Sequence, residues 1–314
     1  MENKPLVSIL VITYESADFI IETLESIKNQ TYPKIELIVA DDCSKDTTVA
    51  LVKDWMIKNQ SSFVKTELVT TEKNTGTSGN CNRGLAKATG EYLKLIAGDD
   101  LLVPDCISSC LHYIKTSNDD IKILCSDIDF FGDALTDEII QRHREGMLFT
   151  KKMCALNAAE QHTSLMRKYW GSAPSLIIHR QTLLDLGRFD ERVKFIEDYP
   201  LWINATERGI KIYFYDKKTV MYRVRGNSVS GSGCLTGNPR LDADFHQVYV
   251  LYQREHLSFY ERFDKDYTYK LSTLMLSYPR FKIIFRLLKL LSFPTLIRNL
   301  NFKIIKIKLK SFGF

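Results

Sequence analysis

The chain reads as an α/β protein: a doubly wound, mostly parallel sheet flanked by helices, followed by a helical, basic, amphipathic C-terminal extension. Three observations predict this. Residues 6–12 form an almost unbroken apolar run, the pattern of a strand buried on both faces. Strand-like and helix-like segments then alternate at intervals of roughly 20–30 residues, as right-handed crossovers between parallel strands require. The composition, 45% hydrophobic and 26% charged over 314 residues, is that of a globular chain with a sizeable core and excludes a disordered or fibrous one.

Taken in order, residues 6–12 are the first strand, and apolar spacing at Phe19, Ile20, Leu24 and Ile27 makes the first helix, with Ser16 or Asp18 to cap it. A second strand covers 35–40, a second helix 47–58 and a short third strand 66–70. The Gly- and Asn-rich stretch 74–79 leads into a helix through Ala88, and 91–97 is the next strand. Pro104 stands where proline favours the first turn of a helix, and 121–131 returns to strand. Residues 132–173 lose the alternation, carry mixed charge and read as an insertion or long active-site loop. Beyond them come a strand at 175–178, a helix near 181–186, a helix from Asp198 to Arg208, and two strands at 211–215 and 219–224. A turn-rich patch, 226–237, separates this core from the helical C-terminal region.

The net charge of +5 is unevenly spread. From Lys270 onward there are ten Lys or Arg and no acid, which leaves the preceding residues at −5. A uniformly basic nucleic-acid binder is therefore not expected, and no recognition motif for nucleic acid is present. Seven cysteines without a C-x-x-C pair suggest reduced thiols rather than a disulfide framework or metal site. No signal peptide and no run of 18 uncharged apolar residues is visible, so a cytoplasmic location is expected.

In an open α/β sheet, ligands bind at the carboxyl ends of the strands. Here those ends read Thr13-Tyr14-Glu15, Asp41-Asp42-Cys43-Ser44 and Gly98-Asp99-Asp100. Aspartates gathered in one crevice repel unless a cation or hydrogen-bond donors neutralise them. Hard carboxylate oxygens without His or Cys favour Mg²⁺ or Mn²⁺. A pair of aspartates can equally be a turn former or a helix cap, but two pairs each following a buried strand favour a ligand site. Neither a G-x-G-x-x-G fingerprint nor a P-loop is present, so a pyrophosphate would have to be managed by metal and side chains.

The segments PLVSILVITYESADFIIETLESIKNQTYPKIELIVADDCSKDTT, NTGTSGNCNRGLAKATGEYLKLIAGDDLLVP, FDERVKFIEDYPLWINATERGIKIYFYD and YRVRGNSVS follow one another along residues 5–231. Together they resemble the family 2 inverting glycosyltransferases of the GT-A fold, of the bacterial surface-polysaccharide type. The resemblance implies a catalytic domain over 1–236, divided into a nucleotide-binding half (1–103) and an acceptor-binding half (104–236), with 237–314 as the helical region carrying the tail. It implies that Thr13, Tyr14 and Glu15 line the nucleotide-sugar pocket, that Asp42 bonds the uracil ring, and that Asp99 contacts ribose or diphosphate. Asp100, with Asp99, would hold Mn²⁺ or Mg²⁺. Asp198, after Glu197, matches the catalytic base; Glu197 and Trp202 would shape the acceptor site. From the residues alone, Asp198 serves equally as a helix cap or a base. Inverting transfer needs both a base for the acceptor hydroxyl and a neutralised leaving diphosphate.

Departures from the family pattern are informative. Glu15 stands where many members have Asn, and Ala97 where many carry the first Asp of a D-x-D-D run. Arg225 stands where many have His, and its forked guanidinium could pair with the diphosphate directly. Cys81 replaces a common arginine, with Arg83 nearby to compensate or not.

Residues 281–310, FKIIFRLLKLLSFPTLIRNLNFKIIKIKLK, interleave apolar and basic residues without one acid. Such a segment suits the interface of an anionic membrane, with an ordinary packed helix or a dimer contact as the plainer alternative. The expected partners are thus a UDP-sugar donor, a saccharide or lipid-linked oligosaccharide acceptor, and the inner face of the cell membrane. The expected enzyme moves a hexose or N-acetylhexosamine. A nucleotidyltransferase, or a non-catalytic membrane adaptor on the same fold, are the competing classes.

Overall fold

The computed structural model describes residues 4–171, 173–225 and 238–277. Two compact units divide the chain, residues 1–231 and 232–314.

The first unit is built on one eight-stranded sheet in the order β3-β2-β1-β4-β7-β6-β8-β5. Its strands are β1 (Val7–Thr13), β2 (Ile35–Asp41), β3 (Lys65–Val69), β4 (Tyr92–Ala97), β5 (Leu101–Leu102), β6 (Ile123–Phe131), β7 (Ile177–His179) and β8 (Ile212–Arg223). The helices are α1 (Ile20–Lys28), α2 (Thr48–Asn59), α3 (Thr77–Leu85), α4 (Cys106–Thr116), α5 (Asp137–Cys154), α6 (Ala158–Leu165), α7 (Arg180–Asp185) and α8 (Asp198–Glu207). β1 pairs in parallel with both β2 and β4, and β2 with β3, so the first half is wound as the apolar alternation predicts. The apolar stretch in β1 and β2 is buried on both faces, including Ile9, Leu10, Leu37 and Ile38 at 0% exposure. β7 runs antiparallel between β4 and β6, and β6 pairs in parallel with β8.

Four expectations need correction. Residues 132–173 are not a loop: they hold α5 and α6. Their amphipathicity is diluted by charge because only Met147, Thr150 and Cys154 of α5 are buried, which hid the period. The segments 211–215 and 219–224 are one strand, β8, whose register against β6 shifts around Asp127; the shift broke the pattern into two. α1 has Phe19 at its N-cap without a side-chain cap bond, so neither Ser16 nor Asp18 caps it. Pro104 lies two residues before α4 rather than inside its first turn.

The second unit contains α9 (Pro239–Val248) and α10 (Phe259–Ser277), joined by a π-helical turn and a 3₁₀ turn. The ring of His246 on α9 stacks on Tyr269 of α10 at 3.8 Å. The basic run 281–310 lies outside the described residues, as does the patch 226–237. Among the described residues no helix is long and apolar enough to cross a membrane.

Candidate active site

The parallel registers of β1, β2 and β4 bring Thr13 beside Asp41 and Ile12 beside Ala97, so the three loops that follow these strands share one edge of the sheet. Two of them begin with strained backbone. Glu15 has φ +49 and Cys43 φ +73, left-handed values that non-glycine residues adopt rarely and keep mainly at ligand sites and turns. The loops are tied together: Ser44 Oγ accepts from the Glu15 backbone N–H at 2.8 Å and donates to Asp41.

Hydrogen-bond donors neutralise the first aspartate pair. Asp41 is buried and also accepts from the Ser44 N–H at 2.8 Å. Asp42 accepts from Thr75 N–H and Oγ1, from Gly76 N–H at 2.8 Å, and from Arg83 across a 2.8 Å ion pair. Arg83 thus supplies a positive charge beside Asp42 that the sequence left open at Cys81. Asn80 sits within α3 and donates to the Ala40 carbonyl at 2.8 Å, so fixing α3 against β2. Tyr14 is half exposed at the mouth. The Thr13 hydroxyl is buried with no hydrogen-bond partner, and a side chain at Gly98 would crowd it at 3.0 Å.

The second pair is arranged differently. Arg225 forms a 2.5 Å ion pair with Asp99. Arg223 donates from its backbone N–H to Asp100 Oδ1 at 2.9 Å and from Nε to the Asp99 carbonyl at 2.8 Å. The two guanidinium groups each lie 4.8 Å from the ring of Phe19, and that of Arg223 also 4.3 Å from Phe131. Asp100 is fully buried, and its Oδ2 has no hydrogen-bond partner. Burial, reinforced by the charge of Asp99, raises the Asp100 carboxyl well above its ordinary range. The Nε of Arg225 is likewise buried and unpartnered. The Asp99-Asp100 pair thus carries one unsatisfied carboxylate oxygen, on Asp100, and the guanidinium paired with Asp99 one unsatisfied N–H, a combination that fits a ligand bringing both a cation and anionic oxygens.

The Asp100 oxygen fits a hard divalent ion. Among the described residues no group of three or more His, Cys, Asp or Glu could enclose one. An ion here would have one or two carboxylates from the chain and would need its remaining ligands from elsewhere.

Away from these two aspartate pairs in sequence, Asp198 opens α8 and is buried at 2% exposure. It is the first helical residue, and its carboxyl is met by the backbone of its own helix start and by side chains from α8 and from the segment after α6. Oδ2 accepts from the hydroxyl of Tyr169 at 2.7 Å and from Trp202 Nε1 at 3.2 Å. Burial raises its pKa from 3.8 to about 6, with the bonds from Tyr169 and Trp202 opposing that rise. Trp202 is fully buried, so its link to the site runs through Asp198; Glu197 is buried beside it. Gly171 closes over this group with φ +147, and a Cβ there would fall 2.5 Å from Trp202 Nε1. The loop that carries Tyr169 and Gly171 reaches Pro174, whose carbonyl accepts at 2.6 Å from Lys94, a lysine buried in the middle of β4. Tyr169, Gly171 and Lys94 were not found by sequence reasoning. The aromatic pair Tyr169-Trp170 next to a glycine was the one local signal.

The family profile described as glycosyl transferase family 2 matches residues 8–169. The chain is 31% identical over 227 residues to the Escherichia coli UDP-Glc:alpha-D-GlcNAc-diphosphoundecaprenol beta-1,3-glucosyltransferase WfaP, covering 72% of this chain and 80% of that one. Among solved structures, S. aureus TarS 1–349 in complex with UDP-GlcNAc is similar with a TM-score of 0.57 at 16% identity, over 85% of this chain and 81% of TarS. The mannosyltransferase PcManGT from Pyrobaculum calidifontis, in complex with GDP-Man and Mn²⁺, gives 0.58 at 18% identity, over 79% of this chain and 64% of PcManGT.

Proposed function

The chain belongs to glycosyl transferase family 2 and is a glycosyltransferase, and from that premise we propose that it moves a hexose or N-acetylhexosamine, with inversion, from a UDP-sugar to a lipid-linked saccharide in bacterial surface-polysaccharide synthesis. The observation that carries the proposal is Asp198: a buried carboxyl, oriented by two donors on one oxygen, with its pKa pushed up to about 6. Those are the attributes of a base that is ionised near neutral pH and still basic enough to take a proton from an acceptor hydroxyl. Such help is worth roughly 10²–10⁴ in rate.

Residues 1–103 form the donor half in this reading, 104–236 the acceptor half and 237–314 a membrane-facing appendage. Thr13, Tyr14 and Glu15 border the nucleoside, and Asp42, held by Arg83, offers an acceptor to the base. Asp99 and Asp100 would hold Mn²⁺ or Mg²⁺, which when bound supplies neutralisation of the leaving diphosphate. Arg225 stands next to Asp99 and adds a forked donor for phosphate oxygens. Asp198 is buried with Glu197 and Trp202 beside it in the chain, and in this reading these two shape the acceptor site. A UDP donor and a diphospholipid-linked acceptor are supported by the activity named for the E. coli relative, and the acid-free tail supports work at the inner face of the membrane.

Release of nucleoside diphosphate across UDP-, GDP- and dTDP-sugars, with Mn²⁺ or Mg²⁺, tests the reading. Release from one UDP-sugar that is lost on chelation is expected. Release from a GDP- or dTDP-sugar alone would overturn the donor, and release indifferent to chelation would overturn the metal.

A further inference from the structure

Along α10, Phe259, Arg262, Phe263, Asp266, Tyr267 and Lys270 recur at three- and four-residue steps and share one face. The helix buries a different face. Tyr269 stacks on His246 of α9, Lys265 donates to Gln253 at 2.9 Å, and Leu271 and Ser272 are buried. Phe259 is 70% exposed and Phe263 53%, which is unusual for adjacent large apolar rings on a surface with no use for them. The rings of Phe263 and Tyr267 stack at 5.9 Å. Together with Arg254 the six residues line a groove of ≈ 420 Å³.

The charges of the groove are unbalanced. Its one acid, Asp266, already faces His246 at 3.6 Å and Arg254 at 3.9 Å. Arg262 and Lys270 have no ion pair among the described residues. Its lining is aromatic and cationic, and the sequence from Lys270 onward adds nine further Lys or Arg with no acid.

We propose that this face of α10 is the seat of the protein on an anionic lipid bilayer. Phe259 and Phe263 enter the boundary between headgroups and acyl chains, while Arg262 and Lys270 meet lipid phosphates. Aromatic rings and long cationic side chains have amphipathic shapes that suit that boundary, and apolar burial and charge attraction add. The proposal rests on the reading above that the enzyme works at a lipid surface, and it names the folded surface that makes the contact, apart from the tail.

The test is co-sedimentation of the full chain with vesicles of phosphatidylcholine alone or mixed with phosphatidylglycerol. Two double variants change only exposed positions: Phe259→Ser with Phe263→Ser, and Arg262→Glu with Lys270→Glu. Thermal unfolding confirms that each is folded. Each is expected to weaken partitioning onto the anionic vesicles roughly tenfold, the charge pair also narrowing the preference over phosphatidylcholine. If both bind as the parent does while deletion of 279–314 releases the protein, lipid binding stands and α10 is not its seat. If the parent ignores anionic vesicles, the lipid-surface reading falls with it. A parent dimer in light scattering that either double variant converts to monomer would assign the face to a second copy and overturn the proposal.

Discussion

Tyr169 donates its phenolic hydrogen to Oδ2 of Asp198 across 2.7 Å, on the same oxygen that Trp202 Nε1 reaches at 3.2 Å. Two donors from different elements converge on one carboxylate oxygen, which fixes the plane of the carboxyl before any substrate arrives. Tyr169 is itself held against the ring of Tyr199 at 5.0 Å. In the proposed role of base, a carboxyl oriented in advance needs no reorganisation at the moment of attack. Both bonds also favour the ionised carboxylate, opposing the burial that raises its pKa.

Tyr169→Phe should therefore do two things at once. It removes a hydrogen bond to a charge, worth about 1.5–3 kcal/mol, so turnover at neutral pH should fall about tenfold or more. It also removes a donor that favours ionisation, so the acid limb of the rate profile should move to higher pH. A variant with reduced turnover but an unmoved limb would show that Tyr169 only supports the fold.

The acid limb of the parent should lie near pH 6, where Asp198 loses its proton. The titratable groups around it are Tyr169 and Glu197, with Cys81 of α3 also within its field. The stability consequence has a definite sign. The folded pKa is above the unfolded value, so the protonated form is favoured by folding, and that contribution is lost as pH rises from about 4 through 6. Above pH 7 the ionised, buried carboxylate costs about 3 kcal/mol by the shift of roughly two units. Asp198→Asn should abolish most turnover, leave UDP affinity nearly unchanged, and raise the melting temperature more at pH 8 than at pH 5. Retained turnover would remove Asp198 from its role.

The donor side of the site was legible because its signal is local. Asp-Asp after a continuous apolar strand, twice, marks the carboxyl ends of β2 and β4, and their positions follow from strand pairing with β1. The acceptor side was half legible. Asp198 could be picked out, but what orients it comes from the loop after α6, 29 residues away in sequence. That region reads as an insertion or long active-site loop because α5 keeps a charged outer face and shows little helical period. Lys94 was invisible for a related reason: a lone lysine in an apolar strand gives no hint that it ties down the Pro174 carbonyl. Contacts made across long sequence separations by single side chains leave no periodicity to read.

Glu15 gives a prediction about backbone rather than contacts. Its φ of +49 is one that asparagine adopts far more readily than glutamate, which gives a physical reason for the asparagine common at this position in the family. Glu15→Asn should raise stability by about 0.5–1 kcal/mol, measured by denaturant unfolding without ligand. A loss of stability would mean that the glutamate side chain makes a compensating contact.

Gly171 is the position where a single methyl group should separate fold from chemistry. Its φ of +147 is open to glycine, and an added Cβ would lie 2.5 Å from Trp202 Nε1 and 3.4 Å from Asp198 Oδ2. The neighbour in the way is the edge of a fully buried indole, which has no free space to withdraw into. Gly171→Ala should cost about 1–3 kcal/mol through overpacking and push the indole N–H away from Oδ2. The carboxyl would then keep Tyr169 as its one side-chain donor on Oδ2, so turnover should fall further than UDP affinity. Adding Trp202→Phe to Gly171→Ala removes the clashing nitrogen. If the clash is the cause, the double variant should regain part of the stability while turnover stays low. Recovery of neither would place the strain in the backbone at 171, and recovery of both would mean that Trp202 has no part in orienting the base.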